Sequence, residues 1–438
     1  MQADCKLHKI IEAQYLRTMK IKNILILISL IWLSACVTQK PQGTKTNASE
    51  YNPASFVLHP KFKVFHASDS YTKLYIKLFT KELRYSSANA ERINKAVIKV
   101  YYRVKPSISS NIIIDSAKTT LTVKKQENQT SIITFLKLNN INEEHYVAEV
   151  FLTDVYANKK SHSFIRINNS GDDNEQYYFS MKAKNKKPVF NEYFRLSDSF
   201  IIMHKNTLAE EIQISRFKLN FPDAVKPSET RKDSSFTLKP DSVWKVKTRL
   251  GKIPFKVNKK GLYLIKADTL KHKGMLKVNF GGSYPMLTKS SELLDATKYL
   301  LSEEEYKKMS NSDNKKLSID NFWIKAAGSK ERARDILKVW YNRATYANYY
   351  FSSYKEGRKT DRGMIYMMFG PPDDIKNFDD AEKWIYIDTK EDKKLEFVFV
   401  IPENAISNND FVLLRDAKYI TVWNRAVKSW RNGIIYKY

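Results

Sequence analysis

The chain has 438 residues, and 75 Lys and Arg against 47 Asp and Glu give it a net charge of +28. A surplus of that size draws anionic surfaces toward the protein without identifying any of them. Only two cysteines occur, Cys5 and Cys36, which excludes a fold stapled by several disulfides, and all seven histidines lie at or before His272, which excludes His-based triads and thiolate or imidazole metal sites from everything after it.

Residues 1–18 carry mixed charges and no apolar run, so the working protein is expected to start at Met19 and the stretch ahead of it reads as an extension. Met19 is followed by Lys20 and Lys22, then by an apolar run over 24–33 that closes in Leu33-Ser34-Ala35-Cys36. A basic flank, a short apolar segment and small residues before a cleavage point mark an export signal over 19–35. At about 1.5 Å per residue the run covers roughly half of a ~30 Å hydrocarbon layer, too little to span it. The Leu-Ser-Ala-Cys ending resembles the lipobox of bacterial lipoproteins. That resemblance implies that Cys36 is acylated and becomes the mature N-terminus, anchored through lipid chains that contribute about 0.8 kcal/mol per buried CH₂. By the same resemblance Val37, rather than Asp, points to the outer membrane, and the lack of an acidic pair in Val37-Thr38-Gln39-Lys40 favours its periplasmic face. No thiol pair is then left, so stability must come from burial, and about 400 residues suffice for two to four domains.

Residues 36–55 include Pro41, Gly43 and Pro53 among polar side chains and read as a flexible tether. The first folded unit is expected over 56–183 as an antiparallel β-sandwich. Leu74, Ile76 and Leu78 alternate with Tyr75, Lys77 and Phe79, and Ala96, Ile98, Val100, Tyr102 and Val104 repeat the pattern. Further short strands are expected at 112–114, 119–123, 131–138, 146–152, 162–167 and 176–182. Lys184-Asn185-Lys186-Lys187-Pro188 marks a boundary. A second, immunoglobulin-like sandwich is expected over 188–283, with strands at 200–204, 211–219, 235–238, 243–249, 253–257, 261–267 and 275–280. Gly281-Gly282-Ser283-Tyr284-Pro285 reads as a linker, since it lacks the lysine and spacing of a phosphate-binding loop.

After Pro285 the period changes to three and four, which predicts an α+β unit over 286–438. Leu293, Leu294, Ala296 and Leu300 fit one helix, Ser302 with Glu305 forms a capping box for the next over 302–310, and Ser329 opens a longer one carrying Ala333, Ile336, Trp340, Ala344, Ala347 and Phe351. Tyr419, Trp423, Ala426 and Trp430 give a last helix. Strands are expected between them at 364–369, 383–388 and 395–400.

The densest motif is Gly357-Arg358-Lys359-Thr360-Asp361-Arg362-Gly363, an apolar run from Met364 to Phe369, then Gly370-Pro371-Pro372-Asp373. It resembles the GWxTD domain of bacterial envelope proteins, whose pattern runs Gly-Trp-x-Thr-Asp-Arg-Gly, a strand, then Gly-x-Pro-Asp. The similarity extends upstream through Asn321-Phe322-Trp323 and Tyr346-Ala347-Asn348 and downstream through Glu382-Lys383-Trp384, and covers about 290–405. It implies the architecture more than an activity: a multidomain chain in which two antiparallel, immunoglobulin-like β-sandwich domains precede an α+β GWxTD-like domain. In this chain Arg358 replaces the tryptophan, and its guanidinium is expected to stack on Trp384 or a nearby tyrosine.

The candidate binding residues are therefore Gly357, Arg358, Thr360, Asp361, Arg362, Gly363, Gly370, Pro371, Pro372, Asp373 and Trp384. A structural account suffices for most of them. Asp361 accepts backbone N–H groups in a turn and pairs with Arg362 or another arginine, Gly363 and Gly370 supply backbone angles at strand ends, and Pro371-Pro372 stops the strand. A chemical account uses Asp361, Asp373 or Glu382 as acid and base on a glycan. The expectation is a non-enzymatic lipoprotein without metal or cofactor, which binds an envelope protein through its C-terminal domain; a glycan-binding or glycan-cleaving protein is the alternative. Anionic lipid or glycan fits the charge, whereas nucleic acid is not an expected partner of an exported chain that lacks its binding motifs. Residues 319–438 hold 21 Lys and Arg against 17 Asp and Glu, so the positive surplus belongs to the earlier modules.

Overall fold

The computed structural model describes residues 44–87, 94–171, 173–230, 239–270, 273–403 and 405–438. The expected export signal, Cys36, the strand anticipated at 235–238 and His272 lie outside the described residues. Among the described residues the chain forms five antiparallel sheets and six α-helices, with every helix after residue 289.

The first strand, β1 (Thr44–Asn47), joins the last sheet. The first module starts with β2 (Lys61–His66), β3 (Tyr71–Phe79), β4 (Ser86–Ser87), β5 (Asn94–Lys105), β6 (Asp115–Lys124), β7 (Ser131–Asn139), β8 (His145–Asp154) and β9 (Lys160–Asn168). One sheet has the order β2-β3-β7; the other has β4-β5-β8-β9, with β6 also paired to β5. Every second residue of β3 is buried, and Leu74, Ile76 and Leu78 meet Ile98 and Val100 of β5 and Val150 and Leu152 of β8 in a core shared by both sheets. The period-two reading therefore holds. It fails at 112–114, where Ile112, Ile113 and Ile114 are exposed and outside any strand. There the serine side chains compete with a sheet ladder, Ser107 Oγ accepting from the Ser110 N–H and Ser110 Oγ from that of Ile112.

The second module comprises β10 (Tyr178–Lys182), β11 (Phe200–His204), β12 (Glu211–Phe217), β13 (Ser242–Lys247), β14 (Lys252–Phe255), β15 (Gly261–Lys266) and β16 (Met275–Asn279). Sheets ordered β10-β11-β14 and β13-β12-β15-β16 share a core that includes Tyr178, Ile202, Ile214, Ile253, Phe255 and Ile265. β10, which lies ahead of the expected boundary at 184–188, pairs with β11 beyond it. The segment is a turn inside this module, with Lys182 N donating to Lys187 O and Lys186 at φ 55°. Lys63 of β2 ties the modules together, with its Nζ 2.5 Å from Glu175 and 2.9 Å from Glu192, and Lys277 lies 3.4 Å from Glu192. Burial disfavours the Lys63 charge, but the two carboxylates outweigh burial and hold its pKa above the usual lysine value.

The last module contains α1 (Ser290–Thr297), α2 (Glu303–Ser310), α3 (Lys315–Ala327), α4 (Lys330–Phe351), α5 (Asp361–Phe369), β17 (Asp374–Asn377), β18 (Ala381–Asp388), β19 (Lys393–Val400), β20 (Val412–Leu413) and α6 (Tyr419–Arg431). The capping box of Ser302 and Glu305 and the cap of Ser329 open α2 and α4 as expected. The helices pack on a sheet ordered β1-β17-β18-β19-β20, and Trp323, Trp340, Trp384, Trp423 and Trp430 are fully buried in the shared core.

Two expectations change here. Residues 364–369 are not a strand but most of α5, in which every residue from Asp361 to Phe369 is buried. A helix buried all round shows no period of its own, so its apolar run reads like that of a buried strand. Likewise, the segment read as part of a free tether is structured from residue 44: β1 pairs with β17, and a 3₁₀ turn, Ala48–Tyr51, follows it.

Lys63→Met would remove the ion-pair partner of Glu175 and leave Glu192 with Lys277. It is expected to lower stability by roughly 3–5 kcal/mol, read as a fall in the urea midpoint.

Candidate functional site

The signature residues form two consecutive turns pressed against the end of α4. Gly357–Lys359 is a single 3₁₀ turn, and Thr360 caps α5: its Oγ1 accepts from Gly363 N at 3.0 Å and donates to Gly357 O at 2.7 Å. A Cβ on Gly357 would lie 2.1 Å from the carbonyl oxygen of Ala347, and one on Gly363 would lie 1.8 Å from that of Gly357. Neither glycine has positive φ, so close backbone approach, not a strand-end angle, requires them. Gly370 does have positive φ, 85°, and ends α5. The turn is held from α4 by Asn348, whose Oδ1 accepts from Arg358 N at 2.9 Å while its Nδ2 donates to Pro285 O at 3.0 Å. Tyr284 accepts from Gly357 N at 3.1 Å, so the segment expected as a linker also buttresses the motif.

Asp361 and Arg362, adjacent in sequence, clamp different parts of the domain. Asp361 accepts from Arg415 at 2.7 and 3.1 Å and from the Leu413 N–H at 2.9 Å; its arginine is thus Arg415, not Arg362. Arg362 Nη1 lies 3.2 and 3.3 Å from the oxygens of Glu382, and Nη2 donates to Asn409. Its guanidinium sits 4.0 Å from the ring centroid of Phe411 and 5.1 Å from that of Phe351. Glu382 also accepts from Trp384 Nε1 at 3.2 Å and from Tyr51 at 3.4 Å. Asp361, Arg362 and Glu382 are 5, 2 and 6 % exposed, so these are buried, occupied pairs.

Arg358 does not stack on Trp384. Its guanidinium lies 2.9 Å from Glu356 and 3.7 Å from Asp295, and its carbonyl accepts from Tyr299. Burial works against its charge, but Glu356, Asp295 and Tyr299 outweigh burial and hold its pKa above the usual arginine value. Trp384 packs instead against Tyr51, Phe351 and Phe399. At the other end of α5, Arg343 donates to the carbonyls of Met367 and Met368, and burial lowers its pKa to about 10. Pro372 is buried, Pro371 is half-buried, and Asp373 is exposed, with one oxygen accepting from Ile387 N. The structure therefore brings Gly357, Thr360, Asp361, Arg362, Gly363 and Trp384 together and leaves Gly370 to Asp373 at the far end of the helix.

Sequence reasoning left Tyr51, Arg415 and Asn409 out of the site. Arg415 meets Asp361 across 54 positions, and no local pattern announces such a pair. A cavity of about 790 Å³ lies where the three modules meet, lined by Lys61, Arg166, Glu192, Tyr350 and Asn409 among others; none of the candidate residues read from the sequence lines it. Among the described residues, no group of three or more His, Cys, Asp or Glu side chains converges on a metal-sized site.

Two substitutions separate the roles of the carboxylates. Asp361→Asn is expected to cost roughly 3–5 kcal/mol, because it leaves Arg415 buried without its counter-charge. Asp373→Asn should change stability by no more than about 1 kcal/mol. Gly363→Ala should cost more than the roughly 1–3 kcal/mol of ordinary overpacking, because the obstacle is a backbone carbonyl. Thermal and urea unfolding of the three variants check the order.

No curated protein matches the chain. Residues 261–432 match the family model of the GWxTD domain, a longer stretch than the motifs alone covered, running from β15 through α6. The chain thus carries a GWxTD domain, with arginine where the domain's name has tryptophan.

Proposed function

We propose that the protein is a non-enzymatic lipoprotein of the bacterial envelope, held through acylated Cys36 at the periplasmic face of the outer membrane, which binds another envelope protein through its GWxTD domain. Its two β modules, read as immunoglobulin-like sandwiches, act as spacer and docking units. One observation carries the non-enzymatic reading: Asp361 is fully engaged by Arg415 and Leu413, and Glu382 by Arg362, Trp384 and Tyr51. An acid–base pair needs a carboxylate free to exchange a proton with a substrate. Carboxylates fixed by buried arginines instead make a rigid binding scaffold.

Affinity purification from detergent extracts, with the full chain and with a chain lacking residues 286–438, tests the reading. Specific partners are expected to disappear with the deletion, and their retention would overturn the role given to the domain. Mass spectrometry of the cellular protein tests the anchor. Cys36 should carry acyl chains, and a free thiol preceded by an intact leader would remove the envelope assignment.

A further inference from the structure

Tyr51 is the anchor of a segment expected to be free. Its ring centroid lies 5.0 Å from that of Phe351 and 5.5 Å from those of Tyr350 and Trp384. Its hydroxyl donates to Glu382, the partner of Arg362, and its carbonyl accepts from Tyr366 of α5 at 2.9 Å. Just before it, β1 pairs antiparallel with β17, Thr44 opposite Asn377 and Asn47 opposite Asp374. β17 has β18 on its other side, so without β1 it would be the open edge of the sheet. A strand laid on a sheet edge, followed by an aromatic ring in a pocket, is how folded domains hold extended peptides: the backbone supplies affinity and the pocket supplies selectivity. Arg362 and Trp384, both singled out by the signature, help to build this pocket.

We propose that the β17 edge and the cage around Tyr51 form a peptide-acceptor site of the GWxTD domain, filled here by the chain's own Thr44–Tyr51, and that the partner it fits is an extended segment that places a tyrosine in the cage. This rests on the reading that the domain binds an envelope protein, and it names the surface. In the resident segment Glu50 precedes Tyr51, and its carboxyl feels Glu382 as well as Arg362, Tyr51 and His59. Burial and then Glu382 raise the Glu50 carboxyl from 4.5 to about 7, against the pull of Arg362, Tyr51 and His59. A group whose pKa is raised on docking favours the docked state fully below its free value and loses that contribution as pH rises through the docked value. The resident segment is therefore held more weakly at neutral pH than in acid, which suits a site whose occupant exchanges.

The test uses the full chain and a fluorescein-labelled peptide of residues 43–55. Tyr51→Ala empties the cage, and the variant is expected to bind the peptide at least tenfold more tightly than the parent does. The same peptide with its tyrosine changed to alanine should bind neither protein, and binding to the variant should weaken at least tenfold between pH 5 and pH 8. Absence of binding to a Tyr51→Ala chain that keeps the parent's circular dichroism, or equal binding of the two peptides, would overturn the proposal. If Tyr51→Ala does not fold, deletion of residues 44–51, which removes the resident strand and Tyr51 together and keeps the cage residues, runs the same comparison. Partners lost on deleting residues 286–438, together with no peptide binding, would remove the acceptor site and leave the proposed function standing. Peptide binding with partners retained would do the reverse.

Discussion

Two missing side chains allow the GWxTD domain of this protein to close. The carbonyl of Ala347 at the end of α4 rests on Gly357, and the carbonyl of Gly357 rests on Gly363, at distances no Cβ would tolerate. That stack sets the position of Thr360, and Thr360 sets the first turn of α5. In a helix of 3.6 residues per turn, neighbouring side chains point about 100° apart. Asp361 can therefore reach Arg415 beside β20, while Arg362 reaches Glu382 on β18. The acid and the base of the signature are thus two hands of one clamp, and the glycines determine where it is mounted.

The replacement of tryptophan by Arg358 is instructive in the same terms. Arg358 is buried, and Glu356, with Asp295 from α1, supplies the opposite charge that offsets its desolvation. The position is used for its backbone as well: its N–H binds Asn348 and its carbonyl binds Tyr299. In this chain the turn forms with an arginine and no ring at this position, held by the backbone contacts of that residue.

Much of this was legible in the sequence, for physical reasons that differ by element. The strands of the first two modules have one face in a core, so period two appears in β3 and β5. Helices α2 and α4 declare themselves through Ser302, Glu305 and Ser329. The sequence of α5 reads as a strand because no solvent face interrupts its apolar run. β1 leaves no sign in the sequence because Thr-Lys-Thr-Asn carries no apolar alternation, and its place depends on the backbone edge of β17 rather than on its own composition. The partners of Asp361 and Arg362 were out of reach because tertiary pairing, not spacing along the chain, selects them.

The docking of residues 44–51 also has a consequence for the order in which the molecule can be completed. The Tyr366 hydroxyl meets the Tyr51 carbonyl across 315 positions, and the Tyr51 hydroxyl meets Glu382 across 331. Closing so long a loop adds little to the equilibrium cost, because loop entropy grows only with the logarithm of length. The kinetic effect is larger: the first described strand emerges early in synthesis and has nothing to pair with until β17 and β18 have been made. Both β modules can fold during that interval, so assembly of the final sheet occurs late and depends on the arrival of the chain's far end.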